Sequence, residues 1–115
     1  METRFDGLSE FLSRRGRTRI LERLLEELGT YQSVARKLDV NRATVHRWAT
    51  EKRVHPSNRS TDELLNLLEE VDPGSLRTIL VEEANTFLEI LWGRIGNLNS
   101  EVPTKSILLS PEAGV

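Results

Sequence analysis

The stretch NRATVHRWAT, residues 41–50, concentrates side chains that can hydrogen-bond to the edges of nucleic-acid bases. Arginine can donate two hydrogen bonds to guanine, and asparagine can pair in the same bidentate way with adenine. Threonine and alanine are short enough to let a helix approach a base pair and to touch a thymine methyl group. Asparagine is also suited to capping a helix, so for that residue both roles stay open. The predicted base contacts are Asn41, Arg42, Ala43, Thr44, His46 and Arg47.

Two short helices with an interruption between them would position these side chains. Apolar residues at helical spacing predict a first helix over residues 31–38 and a second over residues 42–53. Val45 and Trp48 stand three residues apart, so they fall on one face of the second helix. We expect that face to be buried, which would turn the candidate base contacts outward.

The first helix and the interruption carry the residue types that a steep helix crossing needs. Ala35 is small enough for the two backbones to approach closely, and Val40 can fill the space beneath the turn. The rest of the buried stripe is supplied by Tyr31, Val34 and Leu38. Residues 31–50 therefore resemble the helix-turn-helix family of DNA-binding proteins, and residues 17–28 resemble its supporting first helix.

The resemblance implies a trihelical domain that places its second motif helix in the major groove of double-stranded DNA. The family often has glycine at the first turn position, where the backbone tends to be left-handed, whereas this chain has Asp39. Aspartate tolerates that conformation better than most residues. Because short amphipathic helix pairs also occur as packing units, a purely structural role is the alternative.

Polar and cationic residues around these helices are candidates for phosphate contacts. Hydroxyl, amide and backbone N–H groups at a helix N-terminus can bind a phosphate. The arginine-rich run SRRGRTR, residues 13–19, either contacts the DNA backbone, enters the minor groove or pairs with nearby glutamates. The predicted phosphate contacts are Thr30, Gln32, Lys37, Lys52, Arg53, Arg14, Arg15 and Arg17.

The net charge of −2 conceals an uneven distribution along the chain. Residues 1–59 contain 13 Lys and Arg against 8 Asp and Glu, whereas residues 60–115 contain 3 against 10. The basic half can therefore meet phosphate while the acidic half faces elsewhere. Two solvated surfaces without a partner would have the same composition.

Several functional classes have no support in the sequence. There is no cysteine, and the only histidines are His46 and His55, so we expect no metal site and no cofactor. No activated nucleophile, glycine-rich phosphate loop or catalytic carboxylate pair is present, so we expect no enzyme activity. No window resembles a membrane span or a signal peptide. We expect a cytoplasmic protein associated with the nucleoid.

The remaining segments complete a predicted all-α chain. Residues 1–53 form the predicted helix-turn-helix domain, and residues 54–60, which include Pro56, form the predicted linker. Residues 61–98 form a predicted helical hairpin, and residues 99–115 a flexible tail that is a candidate site for a protein partner.

Within the hairpin, Ser60 and Glu63 resemble a capping box at the start of a helix over residues 62–71. Asp72, Pro73, Gly74 and Ser75 form a predicted tight turn, and a longer helix then runs to about Leu98.

The long helix carries an apolar stripe with heptad spacing. A two-helix hairpin has no enclosed core, so this stripe meets either a second subunit or the basic domain of its own chain. We favour a homodimer or a higher homo-oligomer, with the predicted interface formed by Leu80, Val81, Ala84, Phe87, Leu88, Leu91 and Ile95.

Three functions are compatible with this organisation. The leading hypothesis is a sequence-specific DNA-binding transcriptional regulator that acts as a homodimer. The second is a subunit like the small terminases of viruses, which form rings and recruit a motor through the tail. The third is a helical interaction adaptor that does not bind DNA.

Overall fold

The computed structural model describes residues 7–96, in which the regular elements are all helices and no strand is present, in agreement with the all-α prediction. A short 3₁₀ helix is followed by five α-helices. Their bounds are Leu8–Phe11 for the 3₁₀ helix, Arg14–Leu28 for α1, Tyr31–Leu38 for α2, Arg42–Thr50 for α3, Asn58–Val71 for α4 and Pro73–Ile95 for α5. The predicted helix end near Leu98 and the predicted tail lie outside the described residues.

Helix α1 begins three residues earlier than the sequence predicts. The hydroxyl of Ser13 accepts a hydrogen bond from the backbone N–H of Gly16 at 3.0 Å, which caps the first turn. Gly16 therefore lies inside α1. Helix α1 ends at Leu28, and the following Gly29 has a φ of 92°, which lies in the region that favours glycine.

The two predicted short helices have caps at their first turns. The hydroxyl of Thr30 accepts from Ser33 N–H at 3.0 Å at the start of α2. The side-chain oxygen of Asn41 accepts from Thr44 N–H at 2.8 Å at the start of α3. These local bonds fix where both helices start.

A left-handed residue closes α2 and separates it from α3. Asp39 has φ 55° and ψ 46°, and Val40 N–H donates back to the carbonyl of Ala35 at 3.0 Å. This six-to-one bond with a left-handed residue is a Schellman-type helix end. Asp39 therefore adopts the conformation for which glycine is usually selected, as expected from the sequence.

Replacing Asp39 with glycine should stabilise the protein by about 0.5–1 kcal/mol. Glycine removes the steric cost of the left-handed backbone, and the substitution also removes a negative charge at the C-terminus of α2. These two gains in stability exceed the loss that arises because glycine increases the conformational entropy of the unfolded chain. Urea unfolding measures the change, and Asp39→Asn, which removes only the charge, separates the two causes. A loss of stability in Asp39→Gly would show that the aspartate side chain itself holds the turn.

The core lies between α1, α2, α3 and α4; α1 contacts the other three helices, and α2 contacts both α3 and α4. Val45 and Trp48 of α3 are 0% and 8% exposed, so the predicted inward face of this helix is confirmed. The side chains that fill the core include Ile20, Leu21, Leu24, Val34, Ala35, Leu64, Leu65 and Leu68, all fully buried. Burying such a leucine or isoleucine side chain contributes about 1.5–3 kcal/mol.

Helix α4 belongs to this core rather than to a separate hairpin. It contacts α1, α2 and the 3₁₀ helix, and its leucines at 64, 65, 67 and 68 are buried. The chain divides into two compact units after Leu76, inside α5, and not at the predicted linker over residues 54–60. We call residues 7–76 the first unit.

The start of α4 also differs from the prediction. Ser57, not Ser60, caps this helix and accepts from Ser60 N–H at 3.2 Å. Pro56, which we expected in a linker, is fully buried. The cap of α4 therefore lies three residues before the predicted capping box. Residues 58–60, which we predicted as part of the linker, form the first turn of the helix.

No separate turn joins α4 to α5. Asp72 accepts from Ser75 N–H at 3.2 Å and from the Ser75 hydroxyl at 2.6 Å, so it caps α5 directly, and Pro73 is the first helical residue. Arg23 of α1 donates to Asp72 at 2.8 Å and to the Ser75 hydroxyl at 3.1 Å. The hydrogen bonds from Ser75, together with Arg23, lower the pKa of Asp72.

Candidate nucleic-acid interface

Helix α3 has two chemically different faces. Val45 and Trp48 are buried in the core, while Arg42, Ala43, His46 and Arg47 are exposed and Thr44 is half-buried. The predicted base contacts other than Asn41 thus share one helix, whose apolar side is fixed against α1 and α2. Its outer surface can donate hydrogen bonds from two guanidinium groups and one imidazole.

Asn41 and Thr44 are bonded to each other at the start of α3. The side-chain oxygen of Asn41 accepts from both the backbone N–H of Thr44, at 2.8 Å, and its hydroxyl, at 2.9 Å. A bidentate contact with adenine needs that same oxygen as an acceptor. The capping role is therefore the one seen in the structure, and the predicted adenine contact would require this cap to open.

Tyr31 connects two of the predicted base contacts and was missed as a member of the site. Its ring centroid lies 5.1 Å from that of His46, with the two ring planes at 86°. The guanidinium carbon of Arg42 lies 5.5 Å from the same ring centroid. The sequence predicted Tyr31 only as part of a buried stripe, whereas its side chain is half-buried and bears directly on α3.

A shallow groove lies beside this cluster. It brings together Thr30 and Gln32, two of the predicted phosphate contacts, with Arg42 from the first turn of α3. The groove is lined by Leu25, Gly29, Thr30, Tyr31, Gln32 and Arg42. Predicted phosphate and base contacts therefore adjoin each other on one surface of the first unit.

Arg17 is not available for the phosphate contact that we predicted. Its side chain is 7% exposed and donates to the carbonyls of Leu12 at 3.1 Å, Pro56 at 2.7 Å and Ser9 at 2.5 Å. It also donates to the side-chain oxygen of Asn58 at 2.8 Å.

Burial lowers the pKa of the Arg17 guanidinium, and the charge of Asp62 opposes that shift. Arginine keeps its proton in proteins, so the group is a buried cation that joins the 3₁₀ helix, α1 and the start of α4.

The other predicted phosphate contacts are spread over the surface of the first unit. Two lie in the first turn of α1, one lies on α2, and two follow α3. All five, Arg14, Arg15, Lys37, Lys52 and Arg53, are exposed, and none of them lines the groove. The structure therefore leaves these five side chains exposed to solvent.

No family model, curated protein or solved structure matches this chain. Within residues 7–96, no helix has the length and apolar character needed to cross a membrane. The same residues contain no cluster of His, Asp and Glu side chains arranged to hold a metal ion. The functional interpretation consequently rests on the geometry of α2 and α3.

Proposed function

We propose that this protein is a sequence-specific double-stranded DNA-binding protein, a transcriptional regulator that acts as a homodimer. In this proposal α2 and α3 form a helix-turn-helix, and α3 enters the major groove. The observation that carries the proposal is the two-sided character of α3. Val45 and Trp48 are buried, and its arginines and histidine lie on the exposed side.

The geometry of the α2–α3 connection supports this proposal. The left-handed Asp39, the half-buried Val40 and the fully buried Ala35 occupy the positions that a helix-turn-helix requires. The connection is three residues long, and a major groove about 12 Å wide admits an α-helix such as α3.

The distribution of charge supports the same partner. Residues 1–59 carry a net charge of +5 and contain every predicted phosphate contact. A protein that neutralises several phosphates releases counterions, so its affinity for duplex DNA falls steeply as salt rises. The acidic remainder of the chain, residues 60–115, would be repelled by the duplex.

Helix α5 supports the homodimer. None of the seven predicted interface residues is buried in the single chain, and Phe87 is 61% exposed. Apolar residues that recur at heptad spacing usually meet a second helix. A twofold dimer would present two copies of α3 to half-sites spaced about 34–36 Å apart.

The decisive experiment selects bound sites from random duplexes, measures affinity across a range of salt concentrations and determines the mass in solution. A palindromic site, a steep salt dependence and a twofold mass are the expected results. A ring of many subunits would instead favour the terminase-like alternative. Absence of salt-dependent duplex binding would contradict the DNA proposal and favour the adaptor.

A further inference from the structure

Tyr31 lies at the first residue of α2, between two side chains of α3. Arg42 and His46 are four residues apart, so they are neighbours on the exposed side of α3, and both contact the Tyr31 ring. The helix that carries Tyr31 is anchored in the core by Val34 and Ala35, which are fully buried. The ring is therefore attached to a firmly packed element, whereas the two α3 side chains extend towards solvent.

We propose that Tyr31 is a positioning residue that holds the Arg42 guanidinium for a bidentate contact with one guanine of the DNA site. This inference rests on the DNA-binding function proposed above and assigns one base and one supporting residue to it. Tyr31 acts through Arg42 and makes no base contact itself.

The physical basis is the cost of ordering an arginine. A free arginine side chain has many rotamers and loses them when it binds a base edge. The guanidinium carbon, 5.5 Å from the Tyr31 centroid, is within the range of a cation–π interaction. An arginine held over an aromatic face retains its planar fork of donors, and part of its ordering cost is met before DNA arrives.

The position of Arg42 favours a base over a phosphate. It is the first residue of α3, and the N-terminal residues of a recognition helix contact base edges. Guanine offers two acceptors, O6 and N7, in the geometry of the guanidinium fork. A phosphate could accept the same fork, but loss of that contact would weaken all DNA sequences equally, which distinguishes the two cases.

The test compares base preference at each position of the selected site for the full-length protein and three variants. Arg42→Ala should abolish the preference for guanine at one position of each half-site. Tyr31→Leu, which removes the aromatic face, should reduce that preference by roughly two- to fivefold, while affinity for unrelated duplex changes little. Tyr31→Phe keeps the aromatic face and should retain the preference.

A double variant separates positioning from a general loss of structure. In the Arg42→Ala background, Tyr31→Leu should have no further effect on base preference, because the residue through which it acts is gone. Proton NMR of the unbound protein gives a second measurement. The Arg42 side-chain resonances should be shifted upfield by the Tyr31 ring, and the shift should vanish in Tyr31→Leu and persist in Tyr31→Phe.

The outcomes that would overturn the inference are specific. A guanine preference that Tyr31→Leu leaves unchanged would refute the role of Tyr31, and a uniform loss across all sequences in Arg42→Ala would show a phosphate contact. Unshifted Arg42 resonances would refute the stacking even if Tyr31→Leu failed to fold. If the unaltered protein binds no duplex at all, the proposed function itself fails, and the NMR result still decides whether the ring holds the arginine.

Discussion

Replacing Arg17 with methionine should lower the free energy of unfolding of the first unit by about 3–5 kcal/mol. Methionine occupies a similar length of apolar chain but donates no hydrogen bond. The carbonyls of Ser9, Leu12 and Pro56 would then lose their charged donor inside the protein. Chemical denaturation in urea, followed by far-ultraviolet circular dichroism, measures the difference.

Arg14 provides the matched control because it is an exposed arginine at the start of the same helix. Arg14→Met should change stability by less than about 0.5 kcal/mol. Arg17→Lys should recover only part of the loss, since a single ammonium group cannot span four acceptors that surround a planar guanidinium. A cost for Arg17→Met no greater than that of Arg14→Met would contradict the structural role assigned to Arg17.

Replacing Arg42 or Arg47 with alanine should weaken binding to the selected DNA site by roughly 5- to 150-fold for each arginine. Each substitution would remove a bidentate base contact, which discriminates by about 1–3 kcal/mol, and neither residue supports the core. Competition between the selected site and unrelated duplex measures the loss of specificity. Thermal unfolding should show that both variants fold normally.

Arg36 is the control for charge in that experiment. It is exposed in the last turn of α2 and is not among the predicted contacts. Arg36→Ala removes the same single charge and should weaken specific and nonspecific binding together by a small factor. If Arg36→Ala and Arg47→Ala had equal effects on specificity, the exposed face of α3 would not be the recognition surface.

The features that sequence analysis predicted well are local ones. The bounds of α2 were predicted correctly, as was the burial of Val45 and Trp48, and Asn41 adopts the capping role that was one of its two predicted roles. A cap bonds to a backbone group three residues away, and helical periodicity is visible within ten residues. The left-handed turn residue was also predictable, because only a few residue types tolerate that conformation.

The features that sequence analysis missed depend on segments distant in the chain. Arg17 resembles its arginine neighbours in sequence, and only the arrival of Pro56 and Asn58, about forty residues later, makes it a buried cation. Tyr31 was assigned to a buried stripe from its spacing along α2. Its contact with α3 was missed because that contact depends on how the two helices cross. No local pattern contains either fact.

Helix α4 was misassigned for a related reason. Its apolar residues fit a hairpin partner as well as they fit α1, and the proline-containing segment before it suggested a boundary. In the structure those leucines are buried in the core of the first unit. Amphipathic spacing shows that a helix has an apolar face but does not identify what covers it.

The place of α4 in the core affects how this protein can be divided for experiments. A fragment that ends at residue 53 would keep α1, α2 and α3 but would uncover the apolar surface that Leu64, Leu65 and Leu68 protect. Such surfaces tend to associate with one another in water. A fragment of this kind would form assemblies through the wrong surface, so self-association is informative only in chains that retain residues 58–71.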